Sequence, residues 1–292
     1  MKNGGQEHIM EIRKISAATV TDTVANLLMA CNYEIGCDIS NALESARQRE
    51  ESAVGREVLG QLIENNRIAK EEQIPICQDT GMAVLFIEYG DHVTIEGGSF
   101  SQAVEEGVRR AYRDGYLRKS VVSDPVIDRV NTGDNTPAVV YTDIVPGNTI
   151  SILAGGKGFG SENMSAIRML TPSYGMKGVK DFILDTVRKA GPNPCPPIVV
   201  GVGIGGTFDK AAQLAKKATL RSIDTSHPDP RYAALEQELL EEINRMGFGP
   251  AGLGGNTTAL GVNIATYPTH IAGMPVAVNI CCHAARHQSA TI

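Results

Sequence analysis

The chain has 292 residues, 42% of them hydrophobic and 21% charged, with a formal net charge of -6. That is ample for a core in one large domain or two ordinary ones, and no apolar run is long enough to cross a membrane as a helix. The acidic balance argues against a protein that lives on phosphate backbones, because nonspecific nucleic-acid affinity comes from clustered Lys and Arg.

The opening MKNGGQEHIMEIRKIS carries no apolar h-region, so the expected location is the cytoplasm, with no membrane partner. Residues 16–72 read as helices (SAATVTDTVANLLMAC, DISNALESARQREES and GREVLGQLIENNRIAKEEQ), with Asp38 and Ser52 as N-caps. MAVLFIEYG reads as a buried strand, HVTIEGG as a second strand, and FSQAVEEGVRRAYRDGY returns to the helical period. TPAVVYTDIVPGNTISILAG, around a Pro-Gly turn, predicts a hairpin. GSENMSAIRML and MKGVKDFILDTVRKAG read as helices, PPIVVGVG as a strand, and FDKAAQLAKKATL and DPRYAALEQELLEEINRMG as helices again. TALGVNIATYP and PVAVNICC close the series as strands. Strand and helix alternate without βαβ regularity. The expected class is therefore α+β: mixed β-sheets surrounded by helices, in a single domain over 1–292 whose first 72 residues form a mostly helical layer.

Six cysteines in such a chain point to free thiols or metal ligands rather than disulfides. Cys31 and Cys37 lie in or beside a predicted helix and read as small core residues. The other cysteines differ. Cys77 sits in the polar turn IPICQDTG, two residues before Asp79. Cys195 is fenced by prolines in GPNPCPP and so lies outside regular structure. Cys282, after Cys281, precedes HAARH at the end of a strand-like run. Their spacing matches no zinc ribbon, ferredoxin run or C-x-x-C pair. Spacing alone leaves open scattered thiols or a shared site. Three thiolates would suit a cubane cluster whose fourth iron has no protein ligand.

Two glycine-rich stretches invite a ligand. GVGIGG, after a strand and before a helix, has the G-x-G-x-x-G form through Gly201, Gly203 and Gly206, with Asp224 beyond. It reads as a dinucleotide loop, a donor-rich anion loop or a close helix–strand packing turn. AGGKGFGSENMS, with Lys157, Ser161 and Asn163, reads as a carboxylate or phosphate cradle or as a solvent turn. Arg118, taken alone, reads as a surface arginine.

Taken together, IPICQDTG, LRKSVV with RVNTGDNTP, AGGKGFGSENMS, NPCPPIVVGVGIGGT, GPAGLGGNTTALGVNI and CCHAARH closely resemble the α subunit, or N-terminal domain, of the class I iron–sulfur fumarate hydratases. L-tartrate dehydratase is their relative. The resemblance implies a lyase of the tricarboxylic acid cycle that hydrates fumarate to L-malate. It also implies a [4Fe-4S] cluster on Cys77, Cys195 and Cys282, with Cys281 outside the ligand set. Catalytic roles fall on Asp79 and His270, and contacts to a small dicarboxylate on Gln78, Arg118, Lys157, Gly158, Phe159 and Gly160. Longer family members continue into a domain that supplies a threonine base, arginines and a lysine. This sequence ends at HQSATI, so a separate β subunit and a higher oligomer of αβ units are expected. The glycine segment is similar to the fumarase form, which favours fumarate over tartrate. Two other readings stand beside this one: an NAD-dependent oxidoreductase built on Gly201, Gly203 and Gly206, and a non-enzymatic iron–sulfur sensor.

Overall fold

A computed structural model describes residues 12–292; the first part of the expected helical layer, 1–11, lies outside the described residues. A short strand, β1 (Arg13–Ser16), precedes three helices, α1 (Ala17–Tyr33), α2 (Cys37–Arg49) and α3 (Ala53–Glu72), where the apolar spacing predicts them. Ser52 caps α3 by accepting the Gly55 N–H. Asp38 does not cap α2. Gly36 holds that position, and Asp38 is buried in the first turn, where its Oδ2 accepts the Ile223 N–H at 3.0 Å. The chain then forms β2 (Met82–Gly90), β3 (Val93–Glu96), α4 (Phe100–Asp114), β4 (Val139–Val145) and β5 (Ile150–Lys157). After these come α5 (Phe159–Glu162), β6 (Ala166–Leu170), α6 (Gly175–Ala190), β7 (Ile198–Gly205), α7 (Phe208–Ala218) and α8 (Pro230–Asn244). Strands β8 (Ala259–Tyr267), β9 (Met274–Cys281) and β10 (His287–Thr291) complete the α+β fold. No described helix is long and apolar enough to cross a membrane.

The chain divides into two compact units. The first comprises residues up to 30, 82–155 and 288–292. Its main sheet has the order β10-β5-β2-β4, so β4 and β5 are not the hairpin that their Pro-Gly turn predicts. Strand β2 lies between them because five consecutive residues, Ala83 to Ile87, are buried, which suits a central position. Half-exposed β4 pairs with it in parallel at the edge. Helices α1 and α4 cross closely at Gly107, where a Cβ would stand 2.8 Å from the Thr21 carbonyl oxygen.

The second unit comprises residues 31–81 and 156–287, around a sheet of order β6-β9-β7-β8. Strand β6 takes the second part of GSENMSAIRML, whose period suggests helix throughout and whose start alone is helical, in α5. It pairs antiparallel with β9 from Ala166↔Val278 to Leu170↔Met274, a non-local partner that overrides local preference. Alternation along β7 assigns its two faces. Val200 and Val202 join Ile183, Val187, Leu239 and Ile243 in the core beneath α6 and α8. On the other face, Gly201 and Gly203 lie under α7: a Cβ at Gly201 would stand 2.2 Å from the Ala215 carbonyl oxygen, and one at Gly203 2.1 Å from that of Ala211. Of the readings left open for GVGIGG, close helix–strand packing is the one realised. Gly201 and Gly203 are spent inside a strand and offer no phosphate loop.

Candidate active site

Strand directions decide what can meet. Strand β7 runs parallel to β8 and antiparallel to β9, with Val199 opposite Cys281. The start of β7, the start of β8 and the finish of β9 therefore share one end of the sheet. Cys195 stands just before β7 and Cys282 just after β9. The antiparallel β6 puts its own start, and the preceding glycine segment, at the same end.

The IPICQDTG turn is fastened there from several sides. Ile76 donates its N–H to the Asn32 carbonyl (2.9 Å), and its own carbonyl accepts from Asn65 Nδ2 (2.9 Å). Its side chain packs in a small cluster with Ala69, Ala284 and Cys282. The turn ends at Gly81, with φ of +72°; a Cβ there would stand 2.4 Å from the Lys157 carbonyl, so only glycine fits. Asp79 then ties turn to glycine segment. Its Oδ1 accepts the Gly81 N–H at 3.0 Å and its Oδ2 the Phe159 N–H at 2.8 Å.

The Cys195 loop is clasped separately. Cys195 has a positive φ of 56°, costly for a residue with a Cβ and the kind of strain that collects at functional sites. Its N–H reaches the Pro192 carbonyl (3.1 Å), and its own carbonyl accepts the His283 N–H (3.3 Å), directly beside Cys282. The GPAGLGGNTT segment closes over this loop: the Ala251 N–H reaches the Pro196 carbonyl at 2.9 Å. Glu50 anchors that segment in turn. Buried at the end of α2, it accepts N–H groups from Ser52 (3.1 Å), Asn256 (2.9 Å) and Thr257 (3.0 Å). Burial opposes its charge, yet the donors of Asn256, Ser52 and Thr257 outweigh that cost and hold the carboxyl below its usual range.

Three thiols from three loops thus come to one end of the sheet: half-buried Cys77, exposed Cys195 and half-buried Cys282. Two of them act on the third. The Cys195 thiol is pushed up, first because the surrounding loops displace water from it and then by the negative charge of Cys282 and Cys77. The adjacent Cys281 thiol, and then burial, push the Cys282 thiol well up, while Cys281 is drawn down. Among the described residues no three His, Cys, Asp or Glu side chains converge on a single ion. Three thiols from loops gathered at one end of the sheet are a donor set of the kind that holds an iron–sulfur cluster. Cys31 is buried, as expected of a core residue, whereas Cys37, the first residue of α2, is exposed and not part of the core.

The remaining expected residues differ in their surroundings. Gln78, Phe159 and Gly160 are exposed beside the Asp79 turn, and Gly158 is buried against it. Lys157 is buried and turned inward. Its Nζ donates to the Gly158 carbonyl (3.1 Å) and Ser161 Oγ (3.0 Å) and pairs with Glu162 Oε2 (3.1 Å), which engages three N–H groups. Glu162 in turn holds Lys216 and accepts from Asn279 Nδ2. Arg118 lies exposed in the loop after α4, in the first unit, where Asn135 Oδ1 accepts the N–H groups of Ser120 and Val121. His270 is exposed in the turn between β8 and β9, at the opposite end of the sheet from Cys282. The eight residues of β9 separate the two by roughly 26 Å. The structure does not bring His270 to the thiols of its own chain.

Sequence reasoning missed the buried charges that organise this end. Arg286 donates from Nη2 to the Asp79 carbonyl (2.7 Å) and from Nη1 to Asn32 Oδ1 (3.0 Å). The signal available was an arginine following two alanines in CCHAARH; for Glu50, within QREES, there was none.

Comparison with known proteins bears on this site. A family profile described as "Fumarate hydratase (Fumerase)" matches residues 21–291. A protein of Methanocaldococcus jannaschii named "Putative L(+)-tartrate dehydratase subunit alpha" is 44% identical over 271 residues, which cover 91% of this chain and 95% of that one. The "L(+)-tartrate dehydratase subunit alpha" of Escherichia coli K12 is 35% identical over 277 residues, covering 91% of this chain and 88% of that protein.

Proposed function

The chain belongs to the fumarate hydratase family, and from that premise we propose that it is the α subunit of a two-subunit hydro-lyase that interconverts fumarate and L-malate. The observation that carries this reading is the meeting of Cys77, Cys195 and Cys282 from three loops beside Asp79. A [4Fe-4S] cluster on those three thiolates would supply Lewis-acid chemistry at an iron without a protein ligand. Each Asp79 oxygen accepts one backbone N–H and retains a lone pair for a water or a substrate hydroxyl, so the carboxylate holds that group in place while it positions the turn. Gln78, next to it and exposed, offers an amide to a carboxylate. Arg118 keeps the role given by the resemblance, a planar fork for a carboxylate. Lys157 shapes the glycine segment from within. No step is assigned to His270. The base and further cations come from a β subunit, in line with the "subunit alpha" in the relatives' names.

L-tartrate is the second reading, and those same names favour it. The internal pairing of Lys157 removes the glycine segment's lysine as a reason to prefer one substrate. Both substrates are 2-hydroxydicarboxylates that lose water in the same way, and assays with each decide.

The test is anaerobic iron and sulfide analysis of the full chain beside four variants. Cys77→Ser, Cys195→Ser and Cys282→Ser should each lose most of the bound iron and sulfide, and Cys31→Ser should keep it. Wild-type chain mixed with a β subunit should then dehydrate L-malate or L-tartrate, and the chain alone should not. Full iron retention in any of the first three variants would sink the ligand assignment. Bound cluster without dehydration of either acid would leave the sensor reading in its place.

A further inference from the structure

Arg286 is the largest of the fully buried side chains, 2% exposed as a residue. Buried guanidinium groups are almost always paired with a carboxylate, because an uncompensated charge away from water costs several kcal/mol. Arg286 has no such partner. No Asp or Glu oxygen lies within ion-pair distance of it among the described residues, its two Nη bonds go to neutral oxygens, and its Nε finds no acceptor. The neighbouring carboxylate of Asp79 is committed to the N–H groups of Gly81 and Phe159, and Glu162 to Lys157 and Lys216.

The guanidinium is spent on the Cys77 turn instead. Its hydrogen bond to the Asp79 carbonyl fixes the peptide two residues beyond Cys77, and its bond to Asn32 braces the residue whose carbonyl receives the Ile76 N–H. One side chain therefore touches the turn that carries one proposed ligand and lies four residues beyond another.

We propose that Arg286 is a positioning residue for the cluster: it holds the Cys77–Asp79 turn by the Asp79 carbonyl and supplies the buried positive charge that offsets the negative charge of the thiolate-bound centre. This deepens the reading above and rests on its cofactor. A lysine would keep the charge and lose the two-pronged hold; a glutamine would lose the charge. Partners of this kind typically change metal affinity by roughly 10–100-fold.

The experiment uses the full chain, reconstituted anaerobically with iron and sulfide, as wild type, Arg286→Lys and Arg286→Gln. Two quantities are read: the rate of iron loss to a chelator and the midpoint potential of the cluster. Arg286→Gln should lose iron about tenfold faster or more, with a more negative potential, since a missing positive charge disfavours the added electron. Arg286→Lys should lose iron at an intermediate rate with a potential close to wild type. If Arg286→Gln matches wild type in both, or if Arg286→Lys shifts the potential as far as the glutamine, the charge role is wrong. Should Arg286→Gln fail to fold, the lysine variant decides alone by its potential. A wild-type chain that takes up no iron and sulfide overturns the cofactor reading and this inference together, whereas wild-type uptake with an unaffected Arg286→Gln overturns only the inference.

Discussion

The two ends of the β7–β9 pair are built from similar material and treated differently. At one end, the loops after Gly205 and around His270 are held by a few exposed bonds, the Gly206 N–H to the Pro268 carbonyl and Thr269 Oγ1 to the Gly206 carbonyl, with Tyr267 and Ile271 open to water. At the other end, the loops of Cys77, Cys195 and Cys282 are cross-tied by Asp79, Glu50 and Arg286, the last two almost fully buried. Buried charge is expensive. Its concentration at one end marks where loop geometry has to be exact to a fraction of an ångström, as a preorganised site requires. Glycine content does not discriminate, since both ends are glycine-rich.

The largest test of this asymmetry is Glu50→Ala. It strips the acceptor from the N–H groups of Ser52, Asn256 and Thr257 and should destabilise the chain by about 4 kcal/mol in urea unfolding. The sign of its pH dependence follows from the depressed carboxyl. The contribution is fully present above the unfolded-state value, about 4.3 for a glutamate, and is lost as pH falls through the lower folded-state value. The stability gap between wild type and Glu50→Gln should accordingly be flat near neutrality and shrink only below about pH 4. A gap that persists unchanged into strong acid would mean that the charge contributes nothing. Next in size is Gly203→Ala, within the strand and away from either end. Its Cβ would collide with the backbone of α7, and the forced shift should cost about 2 kcal/mol. Iron uptake should be preserved, and NAD should not protect wild type against thermal unfolding; protection would reopen the dinucleotide reading.

Local signals made much of this legible. The helical periods of α3, α4, α6, α7 and α8 and the apolar runs of β2, β7, β8 and β9 lie where the residues put them. Features that depend on distant partners were not. The Pro-Gly turn between β4 and β5 looks like a hairpin, and only the apolar continuity of β2, read against its neighbours, says that it separates them. The segment Ala166–Leu170 is a strand because β9 offers it an edge. At the site, cysteines in proline- and glycine-bound loops could be singled out because regular structure excludes them. Arg286 and Glu50 could not, because an arginine or glutamate earns attention only once its burial is known.

The smallest expected effect belongs to His270 and is the sharpest check on the comparison. Counted along the chain, His270 stands a short way before Cys282; in space those residues are an extended strand, which carries it to the opposite end. Its ring accepts the Ala272 N–H at 3.2 Å in an exposed turn, a bond that water can replace. His270→Ala should therefore change stability by less than about 0.5 kcal/mol and leave iron and sulfide content at the wild-type level. Cluster loss in this variant would show that the two ends are not independent. Normal cluster content with a large fall in dehydration, measured in the αβ enzyme, would mean that the histidine serves a thiol centre other than its own chain's, since β9 keeps it from reaching the nearer one. Unchanged dehydration would remove His270 from the catalytic set altogether, and the polar groups around the thiols would then have to come from Asp79, Gln78 and the partner chain.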